Sequence, residues 1–272
     1  MDSKKDKIIF EAKKKNYETI EDPECKDTIQ AIKDNLESIT YISLAGNSYS
    51  KDFCLSFAEL LKTIPNLERL NINDIFVSRL KDDIPPSIEA ITGALIGKTK
   101  FVALDISNNA VSVNGAQALT NFLENSPNLK TFLINNCGLG IQGSTILAGA
   151  LKKGKVNLQV IAMARNRLEN QGTIEIASAL KEMDDIKEVY LFQDVIRKDG
   201  MIALLSALMD KKLKSLDIAD NFINDESVEK FADFLEKNET LESLNVSDCN
   251  IQKEDNEKIV AAFEVKIRRK FG

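Results

Sequence analysis

The chain has 272 residues, is 43% hydrophobic, and carries 36 Lys plus Arg against 42 Asp plus Glu, for a net charge of -6. That length and apolar fraction suffice for a large buried core. The mildly acidic balance lacks the broad basic footprint of a duplex-nucleic-acid binder and suits a basic partner instead. The sequence contains no histidine, which excludes Ser-His-Asp and Cys-His catalysis and the usual histidine-containing zinc sites.

At the N-terminus, Met1–Lys7 leads into only three apolar residues, Ile8, Ile9 and Phe10. This is too short for a signal peptide, and no later run approaches a membrane span. A cytoplasmic protein without membrane contact is expected. Residues 1–35 read as a degenerate first repeat and N-terminal cap. From Ile39 onward the pattern L-x-x-L-x-L-x-x-N/C-x-L recurs. Its first position falls on Ile39, Leu67, Phe101, Leu129, Leu158, Ile186, Leu213 and Leu241, at intervals of 28, 34, 28, 29, 28, 27 and 28 residues. Within each unit the L-x-L alternation predicts a short half-buried strand. The Asn or Cys that follows, such as Asn109, Asn221, Cys137 or Cys249, suits the bend out of it. Between strands the period becomes helical, as in Phe57, Leu60, Leu61, Ile64, then Ala116, Leu119, Leu123, and later Val228, Phe231, Leu235. Residues 251–272 read as a C-terminal cap whose helix turns Ile259, Val260 and Phe263 inward, followed by a frayed basic tail, Lys266–Lys270. The predicted fold is α/β: one leucine-rich-repeat solenoid over 1–272, a horseshoe of about nine repeats with parallel strands on the concave face and helices on the convex face. The four cysteines, Cys25, Cys54, Cys137 and Cys249, show no CxxC spacing and read as free thiols.

A solenoid explains its apolar residues and leaves function to positions the fold does not dictate. Two sets qualify. One is the single long interval, whose excess falls within Phe76–Pro86 and carries Arg79, Lys81, Asp82 and Asp83. Insertions in repeat proteins map to loops on one face, often the binding face. By composition alone the segment reads more readily as a tolerated loop with solvated charges. Pro85 or Pro86 suits the first turn of the next helix. The other set is the column just before the Asn/Cys position: Gly46, Asp74, Asn108, Asn136, Arg165, Gln193, Asp220 and Asp248. It should line one rim of the concave surface, with an acidic end where Asp220 and Asp248 lie near Asp217. A wet rim would be polar without any function. No P-loop, GxSxG or HExxH motif occurs, and paired carboxylates such as Asp184–Asp185 read as surface charge.

Three segments in these two sets resemble the Ran GTPase-activating proteins. Asp74-Ile75-Phe76-Val77-Ser78-Arg79-Leu80-Lys81-Asp82-Asp83-Ile84-Pro85 is similar to the family's D-I-F-x-x-R-x-K-D-E-I-P. Asn135-Asn136-Cys137-Gly138-Leu139-Gly140 resembles N-N-G-L-G with one extra residue, and Arg165-Asn166-Arg167-Leu168-Glu169-Asn170 matches R-N-R-L-E-N. The resemblance spans roughly residues 36–265. It implies a GTPase activator rather than an enzyme, acting on a Ran-type small GTPase in its GTP form, with a Ran-binding protein as a further partner. It also implies no cofactor beyond the GTP and Mg²⁺ held by the GTPase, no nucleic acid, and a monomeric chain. The interface residues it implies are Asp74, Arg79, Lys81, Asp82, Asn136, Arg165 and Arg167. In that family the arginine is thought to stay outside the active site, unlike a trans arginine finger. The activator instead orders the GTPase's own glutamine, partly through an asparagine contact to a GTPase tyrosine. That role falls on Asn136. Family members usually carry more repeats and a long acidic C-terminal tail, so contacts made by such a tail are not expected here. The competing expectation is a scaffold or inhibitor of the leucine-rich-repeat type that binds a partner without changing GTP turnover.

Overall fold

The computed structural model describes residues 6–10, 16–224, 226–253 and 255–262. Two strand pairs open the chain and strand then alternates with helix from α2 onward: β1 (Lys7–Ile9), β2 (Asn16–Tyr17), α1 (Lys26–Asp34), β3 (Tyr41–Ser43), β4 (Ser48–Tyr49), α2 (Lys51–Lys62), β5 (Arg69–Asn71) and α3 (Ile84–Gly93). There follow β6 (Ala103–Asp105), α4 (Ser112–Glu124), β7 (Thr131–Leu133), α5 (Gly140–Lys153), β8 (Val160–Ala162), α6 (Glu169–Lys181), β9 (Glu188–Tyr190), α7 (Lys198–Leu208), β10 (Ser215–Asp217), α8 (Glu226–Lys237) and β11 (Ser243–Asn245). Nine strands form one parallel sheet in the order β1-β3-β5-β6-β7-β8-β9-β10-β11. Each helix from α2 to α8 packs on the next. This is the predicted α/β leucine-rich-repeat solenoid. No described helix is long and apolar enough to cross a membrane.

The pattern explains the packing. Every first-position residue is buried, from Ile39 at 0% exposed to Leu241 at 5%. In β6, β7, β9 and β10 the central residue is buried between half-exposed neighbours, as Leu104 is between Ala103 and Asp105. The helical positions Phe57, Leu61, Leu119, Leu123, Val228, Phe231 and Leu235 are buried with them, so strand and helix share one continuous core. At the C-terminal end residues 255–262 are helical. Ile259 is buried there as expected, but Val260 is 54% exposed. The inward stripe runs from Ile259 to Ala262, one helical turn apart, and Val260 lies off that face. Phe263 and the Lys266–Lys270 tail fall outside the described residues.

The N-terminal end holds more structure than its composition suggests. β1 pairs with β3 with Lys7 opposite Tyr41, a step of 34 residues. The long interval after Leu67 therefore has a twin at the start of the array. The extra length of the first unit supplies β2, which pairs with β4 in a separate two-stranded sheet. Phe10, Tyr17, Tyr49, Phe53 and Phe57 fill the space beneath it. Tyr17 stacks on Tyr49 at 5.3 Å between ring centroids, and Phe10 meets Phe57 edge-on at 6.0 Å. Both are geometries that aromatic quadrupoles favour.

Buried asparagines fix the turns after the strands. Asn166 Nδ2 donates to the carbonyls of Ile134 (2.8 Å), Met163 (2.6 Å) and Ala164 (3.3 Å), while its Oδ1 accepts from Cys137 N–H at 2.9 Å. Asn109 and Asn221 repeat the arrangement, with Oδ1 accepting from the N–H of Ile75 and Asp194 respectively. Cys137 and Cys249 occupy the same position and donate Sγ–H to the carbonyl of Ile106 (3.3 Å) and of Ile218 (3.1 Å). Their structural reading holds: all four cysteines are free and buried, and burial pushes the Cys137 thiol up to about 12.

Candidate functional site

The column ahead of the ladder forms a rim with a backbone reason for its composition. All eight members adopt a left-handed conformation, from Asn136 at φ 52 to Gly46 at φ 79. Gly, Asn and Asp tolerate that region; other side chains seldom do. Gly46, Asp74, Asn108, Asn136, Asp220 and Asp248 therefore satisfy a turn before they serve any partner. Arg165 (φ 60) and Gln193 (φ 57) are not favoured there, so local conformation does not account for them. Val195 at φ 59, two residues beyond Gln193, is β-branched and a genuine outlier.

The long loop after β5 is fastened, not loose. Ile75 and Phe76 are buried at its start, whereas Val77 and Leu80 are 52% and 74% exposed. Between them Arg79 turns back toward the first repeats. Its Nη1 donates to both carboxylate oxygens of Glu18 (2.8 and 3.0 Å), its Nε to Ser48 Oγ (2.8 Å), and its Nη2 to the carbonyls of Tyr17 (3.3 Å) and Ser48 (3.1 Å). Ser48 Oγ in turn donates to the Val77 carbonyl at 2.6 Å. Only 15% of the Arg79 side chain is exposed. The expectation of a loop of solvated charges fails for this residue, because the twin insertion places β2 and β4 within its reach. Lys81 and Asp82 remain exposed in a single 3-10 turn that feeds α3, where the prolines occupy the first turn as expected. Asp83 is half-buried and pairs with Lys51 at 3.2 Å.

The other candidates gather further along the rim. Asn136, Arg165, Arg167, Gln193, Val195, Asp220 and Phe222 line a shallow groove of about 500 Å³. Arg165 lies over the Phe192 ring at 5.6 Å, and Arg197 over Phe222 at 4.5 Å, both within cation–π range. A row of amides joins this groove toward the loop. Asn136 Nδ2 donates to Asn108 Oδ1 (3.0 Å), and Asn108 Nδ2 to Asn73 Oδ1 (3.3 Å), beside Asp74. The seven sequence-derived residues thus fall into two clusters: Asn136, Arg165 and Arg167 share this groove, whereas Asp74, Arg79, Lys81 and Asp82 lie on the loop after β5, with Arg79 turned toward Glu18. The acidic end also forms: after burial, the leading cause, Asp217, Asp220 and Asp248 all help to raise the Cys249 thiol. Among the described residues no group of side chains could hold a metal ion.

Several participants were not visible in the sequence. Glu18 and Ser48 hold Arg79 from outside any recognised motif, and no local signal marks them. Phe192, Phe222 and Arg197 are single residues flanking the rim column. Aligning the columns either side of it by the 28-residue register would have exposed them.

The Leucine Rich repeat family model matches residues 97–119, 210–232 and 237–260. The Ran GTPase-activating protein 1 of Xenopus laevis is 32% identical over 202 residues, covering 70% of this chain and 34% of that protein. The Ran GTPase-activating protein of Drosophila melanogaster is 32% identical over 210 residues, covering 72% and 35%. Ran GTPase-activating protein 1 of Saccharomyces cerevisiae is 27% identical over 248 residues, covering 85% and 61%. The chain spans about a third of the length of the first two relatives. With the repeat architecture described above, the chain is a leucine-rich-repeat protein whose sequence is similar to Ran GTPase-activating proteins over most of its own length.

Proposed function

We propose that this protein accelerates GTP hydrolysis on a Ran-type GTPase in its GTP form, acting in the cytoplasm as a monomeric regulator that holds no cofactor of its own. Its relatives are named for that activity. The chemistry stays with the GTPase, its GTP and its Mg²⁺, and this chain supplies positioning.

The observation that carries the mechanism is the state of Arg79. A trans arginine finger must leave solvent and reach transferring phosphate. Arg79 is instead committed to Glu18, Ser48 and the Tyr17 carbonyl, with its charge compensated. That favours a role in shaping the loop, leaving Lys81 and Asp82 as the exposed charges that meet the partner. Asn136 suits the activating contact. It is exposed, its backbone is fixed by the left-handed turn, and its amide is oriented by Asn108. In this reading Asn136 steadies the GTPase's own catalytic glutamine through a neighbouring tyrosine, and Arg165 and Arg167 bind acidic groups beside it.

Single-turnover hydrolysis of Ran-bound GTP tests this directly. Acceleration at micromolar protein, strongly reduced by Asn136→Ala, is the expected result. Tight binding of the GTPase without any change in turnover would establish a scaffold or inhibitor instead.

A further inference from the structure

Beneath the groove, the Asn/Cys position of the repeat that begins at Ile186 is held by an aspartate. Asp194 is 0% exposed. Its Oδ1 accepts from Asn166 N–H at 2.7 Å. That is the same bond the Oδ1 atoms of Asn109, Asn166 and Asn221 make to the corresponding N–H one repeat earlier. With Oδ1 in the amide-oxygen place, planarity puts Oδ2 where the asparagines carry their Nδ2. There each asparagine donates to three carbonyls, one from the preceding repeat and two from its own turn. By register the equivalents for Asp194 are Met163, Leu191 and Phe192. Oδ2 is buried and has no partner as a pure acceptor. An unprotonated oxygen at that place would face carbonyl oxygens, whereas a carboxylic O–H could donate to one of them.

We propose that Asp194 is a protonated rung of the asparagine ladder and a positioning residue for the groove: its proton lets a carboxyl do the work of an amide, and ionisation loosens the turns that present Arg165, Arg167, Gln193 and Val195. Those four residues alternate along the chain with the buried Asn166 and Asp194, so the carboxyl lies directly under them. The functional half of the inference rests on the activator reading above; the protonation does not.

The electrostatics agree in direction. Burial, the largest cause, raises the Asp194 carboxyl to about 7, opposed only by the N–H groups of Asn166, Leu168 and Arg167. The charged side chains on adjoining turns are Arg165, Arg167 and Glu169 before it, Arg197 and Lys198 beside it, and Asp220 after it. All are exposed except the half-exposed Lys198, and none contributes to the shift. An unfolded Asp titrates near about 3.9. The stabilising proton is therefore fully effective below about pH 4, and its contribution is lost as pH rises through about 7.

Asp194→Asn restores the amide and is the natural comparison. Thermal midpoints of the two proteins from pH 4 to 9 should agree most closely at the acid end. Their difference should widen as pH rises toward 7 and level off above it, the wild type falling behind by on the order of 5 °C. At the same pH values, amide exchange at Arg165, whose N–H donates to the Phe192 carbonyl, should quicken in the wild type relative to Asp194→Asn. A midpoint difference independent of pH would overturn the protonated rung. A pH-dependent midpoint with unchanged Arg165 exchange would overturn the positioning role. With Ran-GTP added, the wild-type to variant ratio of hydrolysis rates should fall at least threefold across the same window. Absence of acceleration by either protein would reject the activator reading alone, because midpoint and exchange still decide the rung.

Discussion

Arg79 Nη1 lies 2.8 Å from Glu18 Oε1, so the long loop of one repeat is tied to a residue 61 positions earlier. The two partners are unequal. Glu18 has 65% of its side chain exposed and Arg79 only 15%. Removing Arg79 strips a donor from Ser48 Oγ and from the carbonyls of Tyr17 and Ser48, whereas altering Glu18 leaves those bonds intact. Arg79→Ala should lower unfolding stability by about 2 kcal/mol, the scale of hydrogen bonds to a charged group. Glu18→Gln should cost less than about 1 kcal/mol, as exposed pairs do. Urea denaturation of both variants provides the check, and equal losses would contradict the account of Arg79 as a buried donor.

Asn136 combines a turn requirement with a presented amide, and two substitutions separate these. Ala at a left-handed position costs roughly 1 kcal/mol or more, whereas Gly meets the turn without penalty. Asn136→Gly should keep the wild-type thermal midpoint to within about 2 °C. It should nonetheless lose GTPase activation on the order of 10²-fold, the scale of removing one positioned donor. Full activity in the glycine variant would show that only the backbone matters there.

Much of this architecture was legible because it is periodic. The core positions from Ile39 to Leu241 are set by apolar spacing, and the same ruler picked out Asn136 and Arg165 as column mates. The Arg79 tie was not legible, because it depends on β2, and Asn16–Tyr17 has no apolar alternation to announce a strand. The left-handed turns were hidden for a different reason. Asn108 or Asp220 looks merely polar until the backbone shows that polarity was not the property being selected. Asp194 stood in the ladder column of the sequence, but its burial and its missing donor appear only when the neighbouring turns are stacked.

Val195 gives a test of local strain. Replacing it with Asn keeps a side chain of similar reach and suits the left-handed region. Val195 is already 37% exposed, so little apolar burial is lost. Val195→Asn should raise the thermal midpoint by about 2–4 °C, corresponding to roughly 1 kcal/mol. An unchanged or lower midpoint would mean that the valine packs against the groove well enough to offset its backbone.

The thiols should be silent in the folded protein. Burial raises Cys54 and Cys137 to about 12, and Cys25 and Cys249 are also raised, burial being the leading cause. Thiolate is the reactive form. At pH 8, a colorimetric disulfide reagent should label the native chain slowly and all four cysteines promptly in denaturant. Fast labelling of Cys25, which caps α1, would reveal local opening at the N-terminal repeat.

Parallel strands stand about 4.8 Å apart, and the rim places one presented side chain per strand. From Asp74 through Asn108, Asn136, Arg165 and Gln193 to Asp220, the surface is therefore graduated like a scale, roughly 24 Å long by that spacing. Recognition of a rigid partner then depends on arithmetic as well as on chemistry. Excising one whole unit between Asp74 and Arg165 would leave neighbour-to-neighbour packing available to the rest of the array, yet bring the two clusters one graduation closer. Under the proposed function, with both clusters meeting one rigid GTPase, evolution could change the individual readings on such a scale, but the number of divisions between Arg79 and Arg165 would be set by the shape of that partner.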